Sequence, residues 1–356
     1  MDLIKVLIVD DSAFMRKVLT DIINSDPKLQ VVGTARNGQD ALEKITELNP
    51  DVVTMDIEMP EMDGITTFET LMRSKPIPII MLSSLTKAGA EQTIRALQMG
   101  AVDFIAKPSG QISLDIENIK DEIIRKIVVA AGTRKKMQNL STMPDFISPI
   151  SSVSAEKKLD YDKQLNKLII IGTSTGGPKA LNQVLPRFPA SLNAAILVVQ
   201  HMPAGFTKSL AERLNTLSKI KVKEAEDGEQ ILPGCAYIAP GDYHLRVSSQ
   251  RYANMQKLVV KLSQEPPRGG HRPSVDDMFA SVAEQFWGSI VGVIMTGMGH
   301  DGTTGLQYIK NKGGQTIAEH QSSCVVYGMP KSAIESGFVD KIAPLTEITN
   351  EVLKVL

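Results

Sequence analysis

Short apolar runs and amphipathic segments alternate along the first part of the chain. In the amphipathic segments apolar residues recur at helical spacing, as Met15, Leu19 and Ile22 do. Five apolar runs are strand candidates: Val6–Val9, Val31–Ala35, Val52–Met55, Ile79–Leu82 and Val102–Ala106. Strict alternation of strand and helix predicts an α/β fold, a doubly wound parallel sheet with right-handed crossovers. We therefore expect a (βα)5 domain over residues 1–130, ending in a helix near Leu114 to Val129.

The periodicity is lost over residues 131–166, where Ser, Pro and charged residues are mixed. Such a segment is typical of an interdomain linker, and we expect its apolar residues Phe146, Ile147 and Ile150 to pack on a domain surface.

Alternation resumes after the linker. Further strand candidates are Leu168–Gly172, Ala195–Val199 and Ile290–Met295, and helical segments follow them. Between them lies a stretch rich in short strands and turns. We predict a second α/β domain over residues 167–356, with a mainly parallel sheet and a β-rich insertion.

Composition narrows the functional classes. Hydrophobic residues make up 42% and charged residues 22%, which is ordinary for a globular protein, and a net charge of -1 implies no general attraction to nucleic acid or anionic membranes. The two cysteines, Cys235 and Cys324, form no disulfide framework and fit a reducing compartment. Neither a signal peptide nor an apolar run of about 18 residues is found. We expect a cytoplasmic monomer that neither binds nucleic acid nor inserts into a membrane.

Polar residues stand at the ends of the strand candidates in the first domain. They are Asp10 and Asp11 after the first strand, Asp56 after the third, Ser83 after the fourth and Lys107 after the fifth. Carboxyl ends of parallel strands share one edge, so three carboxylates converge there and require a hard divalent cation, most simply Mg²⁺. A hydroxyl and an ammonium beside a metal suit a phosphorylated carboxylate. The simpler alternative is that each acid only caps the next helix.

Residues 1 to about 130 resemble a two-component receiver domain, through VDDS, MDIEMPEMDG and AKPSG. The resemblance implies that Asp56 accepts the phosphoryl group and that Asp10 and Asp11 bind Mg²⁺ beside it, with the backbone carbonyl of Glu58 assisting. The resemblance implies two further roles: phosphoryl sensing by Ser83 and Lys107, and an aromatic switch at Phe104.

The motif GTSTG, Gly172–Gly176, follows an apolar strand and precedes a helical segment. This context favours a nucleophile elbow that presents Ser174 at the start of a helix. A glycine-rich loop that cradles a phosphate at a helix N-terminus is the alternative.

A nucleophilic serine needs a base, and the chain has five histidines. His201 directly follows a strand candidate and so lies on the same sheet edge as Ser174; His244 and His271 fall in turn-rich segments. His300 is the rival base, but it adjoins Asp301, and neighbouring residues rarely point the same way. We therefore predict a Ser174–His201–Asp301 triad. Backbone N–H groups near Met298 are candidates for an oxyanion hole.

From about Leu168 onward the chain resembles the catalytic domain of the chemotaxis protein-glutamate methylesterase (CheB) family. The matching stretches are IGTSTGG, QHMPAGFT, EAEDGE, YIAPGD, HRPSVD, TGMGHDG and CVVYGMP. The resemblance assigns the same triad and places Thr175 and Met298 beside it. Thr173 and His300 depart from the residues common in that family, where Ala and Asn are frequent.

Together the two resemblances imply a phosphorylation-activated hydrolase. It would remove methyl esters from glutamate side chains on the cytoplasmic helices of chemoreceptors, and would also deamidate receptor glutamine. Its phosphodonor would be the chemotaxis histidine kinase. Mg²⁺ would serve receiver phosphorylation, and hydrolysis would need no cofactor. Two alternatives remain open at this point: a receiver-controlled module that binds a phosphorylated ligand, and an esterase for small molecules.

Overall fold

The computed structural model describes residues 3–107, 116–138, 164–252 and 255–356. Contacts between Cα atoms divide the chain into two compact units, Met1–Phe146 and Ile147–Leu356. The predicted packing of Phe146, Ile147 and Ile150 lies outside the described residues.

The first unit is an alternating α/β sheet. Its strands are β1 (Ile4–Val9), β2 (Leu29–Ala35), β3 (Val52–Asp56), β4 (Ile79–Ser83) and β5 (Asp103–Ala106). Its helices are α1 (Ala13–Asn24), α2 (Gly38–Leu48), α3 (Gly64–Ser74), α4 (Lys87–Met99) and α5 (Ile116–Gln138). All the strands are parallel, in the order β2-β1-β3-β4-β5. This is a doubly wound arrangement, in which ligands bind at the carboxyl edge of the strands.

The central strands are mainly apolar because helices cover both faces of the sheet, and Asp56 and Ser83 stand at the last positions of β3 and β4. Leu7 and Ile8 on successive positions of β1 are both wholly buried. Helices α1 to α4 are capped by Ser12, Asn37, Asp63 and Thr86, whose side chains accept backbone N–H groups of the first turn. Asp10, Asp11 and Asp56 cap none of these helices, so helix capping does not account for them.

The second unit contains a seven-stranded parallel sheet. Its strands are β6 (Lys167–Thr173), β7 (Ala195–Gln200), β8 (Lys221–Glu224), β9 (Cys235–Ile238), β12 (Ser289–Ile294), β13 (Gln315–Glu319) and β14 (Lys341–Ala343). A separate antiparallel hairpin is formed by β10 (His244–Tyr252) and β11 (Met255–Ser263). The helices are α6 (Gly177–Val184), α7 (Phe206–Leu217), α8 (Val275–Gln285), α9 (Thr303–Asn311), α10 (Met329–Glu335) and α11 (Leu345–Val355), with a short 3-10 helix at Leu185–Arg187.

The strand order of the second sheet is β14-β13-β12-β6-β7-β9-β8. The chain moves from β6 to β7 on one side, and later places β12 on the other side of β6. The order therefore reverses at β6, and a crevice at the carboxyl ends of β12, β6 and β7 is the expected ligand site.

The predicted α/β class and the two sheets are confirmed, with corrections at three places. The last helix of the first unit continues to Gln138, past the boundary predicted at residue 130. His244 begins β10 and is wholly buried, so it does not lie in a turn. Of the predicted insertion, β8 and β9 join the parallel sheet and only the β10–β11 hairpin is antiparallel. Within the described ranges, no helix is both long and apolar enough to cross a bilayer.

Candidate active site

Three neighbouring strands of the second sheet bring the predicted triad to one edge. Ser174 follows β6, His201 follows β7, and Asp301 lies in the loop after β12. The final residues of the first two strands, Thr173 and Gln200, pair in register, so Ser174 and His201 occupy the next positions on adjacent strands. Adjacent strands lie about 4.8 Å apart, which puts the serine and the histidine within side-chain reach.

Ser174 sits in a sharp turn between strand and helix. Its N–H donates to the carbonyl of Thr296 at 3.0 Å, and its own carbonyl accepts the N–H of Gly177 at 2.7 Å. Gly176 has φ of +80° and a Cβ there would lie 2.5 Å from that of Val325, so only glycine fits this turn. Helix α6 begins without a side-chain cap. The partly exposed Ser174 is therefore not used as a helix cap.

His201 and Asp301 form a close, shielded pair. His201 Nε2 lies 2.8 Å from Asp301 Oδ2, and each side chain is only 8% exposed. Because a carboxylate only accepts, Nε2 carries the proton and Nδ1 is the free base. Among the described residues this buried Nδ1 has no hydrogen-bond partner, so Ser174 is not yet bonded to it. Catalytic hydrogen bonds of this kind often tighten only when substrate binds.

The Asp301 side chain, which comes from the loop after β12, packs against the N-terminus of α8. Its carboxylate accepts the N–H groups of Val275 at 2.7 Å and Asp276 at 2.9 Å, and the hydroxyl of Ser274 at 3.0 Å. Burial alone would raise the pKa of Asp301, but the hydrogen bonds from His201 and from the helix start outweigh it and hold the pKa at about 2. His300, the rival base, is exposed.

Gln200 joins the serine turn to the histidine loop. The side chain is 2% exposed, and its Nε2 donates to the carbonyls of Ser174 and His201, both at 3.0 Å. The Thr173 hydroxyl donates to Gln200 Oε1 at 3.2 Å. One buried amide thus fixes the two backbones that carry the nucleophile and the base.

The turn at Gly297 and Met298, which is predicted to supply the oxyanion-hole N–H, packs directly on Ser174. A Cβ on Gly297 would lie 2.8 Å from Ser174 Cβ, which places the following residue, the partly exposed Met298, beside the serine. Behind the turn, the buried Glu319 carboxylate accepts the N–H of Thr296 at 2.8 Å. Thr175 is buried, and its carbonyl accepts the Thr296 hydroxyl at 3.0 Å.

The first unit holds a carboxylate cluster at the corresponding edge of its own sheet. One oxygen from each of Asp10, Asp11 and Asp56 lies within 4.8 Å of the others; Asp10 and Asp56 are buried and Asp11 is exposed. Lys107 Nζ lies 2.9 Å from Asp10 Oδ2 and 2.7 Å from Asp56 Oδ2. A set of carboxylate oxygens this close suits a hard cation such as Mg²⁺.

Burial raises the pKa of Asp56 to about 6, with the nearby Asp10 adding to the effect and Lys107 opposing it. An N–H from the exposed Glu58 also opposes it. Charge on this carboxylate is therefore costly unless a further cation is present.

The two other residues predicted to respond to the phosphoryl group, Ser83 and Phe104, are both buried. Ser83 is wholly buried, its hydroxyl lies 3.2 Å from the Gly89 carbonyl, and it accepts from Thr93 at 2.7 Å. The Phe104 ring is 3% exposed and lies under Lys126, whose Nζ is 5.2 Å from the ring centroid.

Three residues of the site were missed or only partly understood from sequence. Gln200 carries no titratable group, so the sequence gives no signal of its role beside Ser174. Ser274 caps α8 and also donates to Asp301, a contact that the sequence pattern does not predict. His271 is predicted only to fall in a turn-rich segment, yet its ring stacks on that of His201. The stretch HRPSVD, which contains both Ser274 and His271, was the available signal.

Two family models match the chain. The CheB methylesterase model covers residues 169–352, and the response regulator receiver domain model covers residues 6–117.

Full-length relatives agree with these matches. A protein-glutamate methylesterase/protein-glutamine glutaminase of Syntrophomonas wolfei is 61% identical, and one of Halalkalibacterium halodurans is 53% identical. The match covers 99% of this chain in both cases, and 99% and 98% of those proteins respectively. The crystal structure of the Thermotoga maritima CheB methylesterase catalytic domain matches with a TM-score of 0.51 and 44% identity, over 54% of this chain and 99% of that one.

Proposed function

Because the chain belongs to the CheB methylesterase family and carries a receiver domain ahead of the catalytic domain, we propose that it hydrolyses glutamate methyl esters on chemoreceptors under control of receiver phosphorylation. The full-length relatives, which are named for both methylesterase and glutaminase activity, support this assignment over a ligand-binding module. The substrate helices then lie on the cytoplasmic side of the membrane, where the protein acts.

The observation that carries the chemistry is the 2.8 Å contact between His201 and Asp301 beside the Ser174 turn. Of the histidines, His201 alone combines a position next to Ser174 with a buried carboxylate on one nitrogen and an unpartnered second nitrogen, as far as the described residues show. That combination is what general-base activation of a serine requires.

The reaction follows from this geometry. Ser174 Oγ attacks the ester carbonyl carbon while its proton passes to His201 Nδ1, and Asp301 stabilises the resulting imidazolium. The N–H of Met298 donates to the developing oxyanion. Collapse breaks the bond to the methoxy oxygen, which takes the proton from His201 and leaves as methanol. Water then attacks the acyl-serine, again with His201 as base, and releases glutamate.

The same residues can deamidate glutamine. The amide carbonyl is attacked in the same way, and ammonia replaces methanol as the leaving group after protonation by His201. This second activity needs no group beyond the triad and the oxyanion donor.

The first unit regulates the hydrolase through phosphorylation. We assign Asp56 as the phosphoacceptor, with Asp10 and Asp11 as residues that would hold Mg²⁺, and with the Glu58 carbonyl assisting. A bound divalent cation supplies positive charge that offsets the carboxylates and the incoming phosphoryl oxygens. Lys107 already contacts Asp56 and would pair with the phosphoryl group, and Ser83 and Phe104 would reorient towards it. The chemotaxis histidine kinase is the proposed donor.

Substrate class is tested by comparing methanol release from methylated receptor membranes with hydrolysis of small methyl esters. We expect kcat/KM on receptor membranes to exceed that on a free glutamate methyl ester by more than about 10²-fold, because remote contacts with a receptor helix lower the barrier. Equal or greater turnover of the small ester would instead identify a small-molecule esterase.

The regulatory part is tested with a small phosphodonor and Mg²⁺. We expect the donor to raise methanol release by the native chain, and to have no effect on Asp56→Asn, whose basal rate stays near that of the native chain. Activation that survives in Asp56→Asn would rule out this phosphoacceptor. Asp21→Asn, which alters an exposed carboxylate of the same unit, is the matched control and should remain activatable.

A further inference from the structure

The ring of His271 lies face to face with the ring of His201. Their centroids are 3.9 Å apart and the ring planes differ by 9°. We propose that His271 is a positioning residue that holds His201 in the plane required for proton transfer from Ser174. The inference rests on the proposed function of the triad and extends it to a residue outside the triad.

One hydrogen bond does not fix the orientation of an imidazole. The contact from Nε2 to Asp301 holds one ring atom, but the ring can still rotate about the axis through that atom and Cβ. Such a rotation would move Nδ1 away from the serine. A flat ring in van der Waals contact with one face resists this rotation, because at a centroid separation of 3.9 Å a tilt would push the edge of the His201 ring into the ring of His271.

Stacking also favours the charged form of His201 that appears during the reaction. The face of an aromatic ring attracts a cation, and the contact is stronger where water is excluded, as at this 8% exposed side chain. The effect is realised once His201 has taken the proton, so it acts on kcat more than on KM.

His271 is itself held firmly. Its N–H and carbonyl form two hydrogen bonds with Arg268 across a two-residue turn, at 2.9 and 3.1 Å. Gly269 and Gly270 in that turn have φ of +57° and +82°, which glycine accepts readily. The next residue, Arg272, binds the Asp242 carboxylate and donates to the carbonyls of Gln264 and Glu265.

The same segment reaches the other member of the pair. Ser274, three residues after His271, donates to Asp301 Oδ1, and the N–H groups of the next two residues also bind that carboxylate. One short stretch of chain therefore fixes the plane of the base and the position of the acid. This gives a common physical reason for a histidine and a serine at this spacing.

The test separates the ring from its nitrogen atoms. His271→Phe keeps an aromatic face, His271→Gln keeps polarity without a ring, and His271→Ala keeps neither. We expect kcat for methanol release to fall by roughly tenfold in the Ala and Gln variants, with KM within about twofold, and to stay within about threefold of the native value in the Phe variant. Labelling of Ser174 by a fluorophosphonate should follow the same order, since it reports nucleophile activation without a receptor.

Two controls keep the outcome interpretable. Thermal unfolding of each variant separates misfolding from loss of positioning; if the Ala variant does not fold, the Phe and Gln pair decides. His320→Ala, which removes an exposed histidine bonded to Ser322, should keep the native kcat. Native kcat in both His271→Ala and His271→Gln, or a Phe variant as slow as Gln, would overturn the inference. Absence of activity in the native chain would instead refute the proposed function.

Discussion

At the scale of single residues, the fixed charge of Asp301 separates His201 from the other histidines. The pKa of Asp301 is held at about 2, so this carboxylate stays ionised at any pH used for an ester assay. It can therefore fix the proton on Nε2 and leave Nδ1 free as a base. Any loss of activity on the acid side above about pH 4 must come from another group.

Replacing Asp301 with Asn should lower kcat by about 10³- to 10⁴-fold, because an amide can donate to Nε2 and favour the wrong imidazole tautomer. KM should change little, since the group acts on the transition state. Steady-state methanol release measures both constants. Asp227→Asn, at an exposed carboxylate of the same unit, serves as control and should behave as native. A kcat within tenfold of native would contradict the role given to Asp301.

The pKa of Asp56 is raised, whereas that of Asp301 is lowered, and the raised pKa makes a prediction about stability. Its pKa of about 6, against 3.8 for an ordinary carboxyl, means that the folded chain holds this proton more tightly than the unfolded chain. The stability this group contributes is complete below about pH 4 and is lost as pH rises through 6, by at most about 3 kcal/mol. Asp56→Asn should remove this loss and raise the free energy of unfolding of the first unit at pH 7.

Urea denaturation of the full chain at pH 4, 6 and 8 measures the effect as the difference between native and variant. The difference should be small at pH 4 and should grow towards pH 7. Asp21→Asn, whose exposed pair with Lys17 contributes little, should show no such trend. A variant no more stable than the native chain at pH 7 would show that charge on Asp56 is not costly.

The groups that carry the chemistry are predictable from the sequence because they stand at or after strand ends. Ser174, His201 and Asp301 each follow an apolar run, so their shared edge could be predicted before any coordinates. Gln200 and His271 could not be found this way. A buried amide and a stacked ring act through tertiary contacts that leave no periodic signal in the chain.

At the scale of elements, the close approach of two loops sets the position of the nucleophile. Gly297 in the loop after β12 has no room for a side chain: a Cβ would lie 2.3 Å from Met329 Sδ and 2.8 Å from Ser174 Cβ. The thioether can move, but the serine turn is tied to Thr296 by a backbone hydrogen bond. The added methyl group must therefore displace the turn.

Gly297→Ala should lower kcat by about 10- to 100-fold, because small displacements of a reacting atom are costly. Methanol release and thermal unfolding should be measured together. Gly132→Ala is the control: it lies in α5, a Cβ there meets no atom within 4 Å, and alanine should leave activity unchanged and slightly raise stability. Native turnover by the Gly297 variant would mean that this loop does not position Ser174.

Element boundaries were less predictable than element order. All ten predicted elements of the first unit are present, yet α5 runs to Gln138 because no Pro or Gly–Pro signal stops it where periodicity weakens. The sequence predicts a turn-rich segment around His244 because its neighbours Gly241 and Asp242 signal a turn. In the structure, strand β10 begins at His244, shortly after that turn. Local signals mark turns well but do not show how far the adjoining strand extends.

At the scale of the whole molecule, two sheets of the same class carry two different chemistries at the same kind of edge. The first gathers carboxylates and a lysine suited to a phosphoryl group, and the second gathers a hydroxyl, an imidazole and a carboxylate suited to acyl transfer. The fold and the family were predictable because strands and helices alternate strictly in the first unit and outside β8 to β11 in the second, and because each sheet edge shows its own motifs.

The central claim is that Ser174 is the nucleophile that cleaves receptor glutamate methyl esters. The most direct measurement is methanol release from methylated receptor membranes by the full chain and by Ser174→Ala, with folding of both verified by thermal unfolding. We predict that the native chain releases methanol and that the variant loses at least about 10³-fold of that rate while remaining folded. Methanol release by folded Ser174→Ala at a rate near that of the native chain would contradict the account.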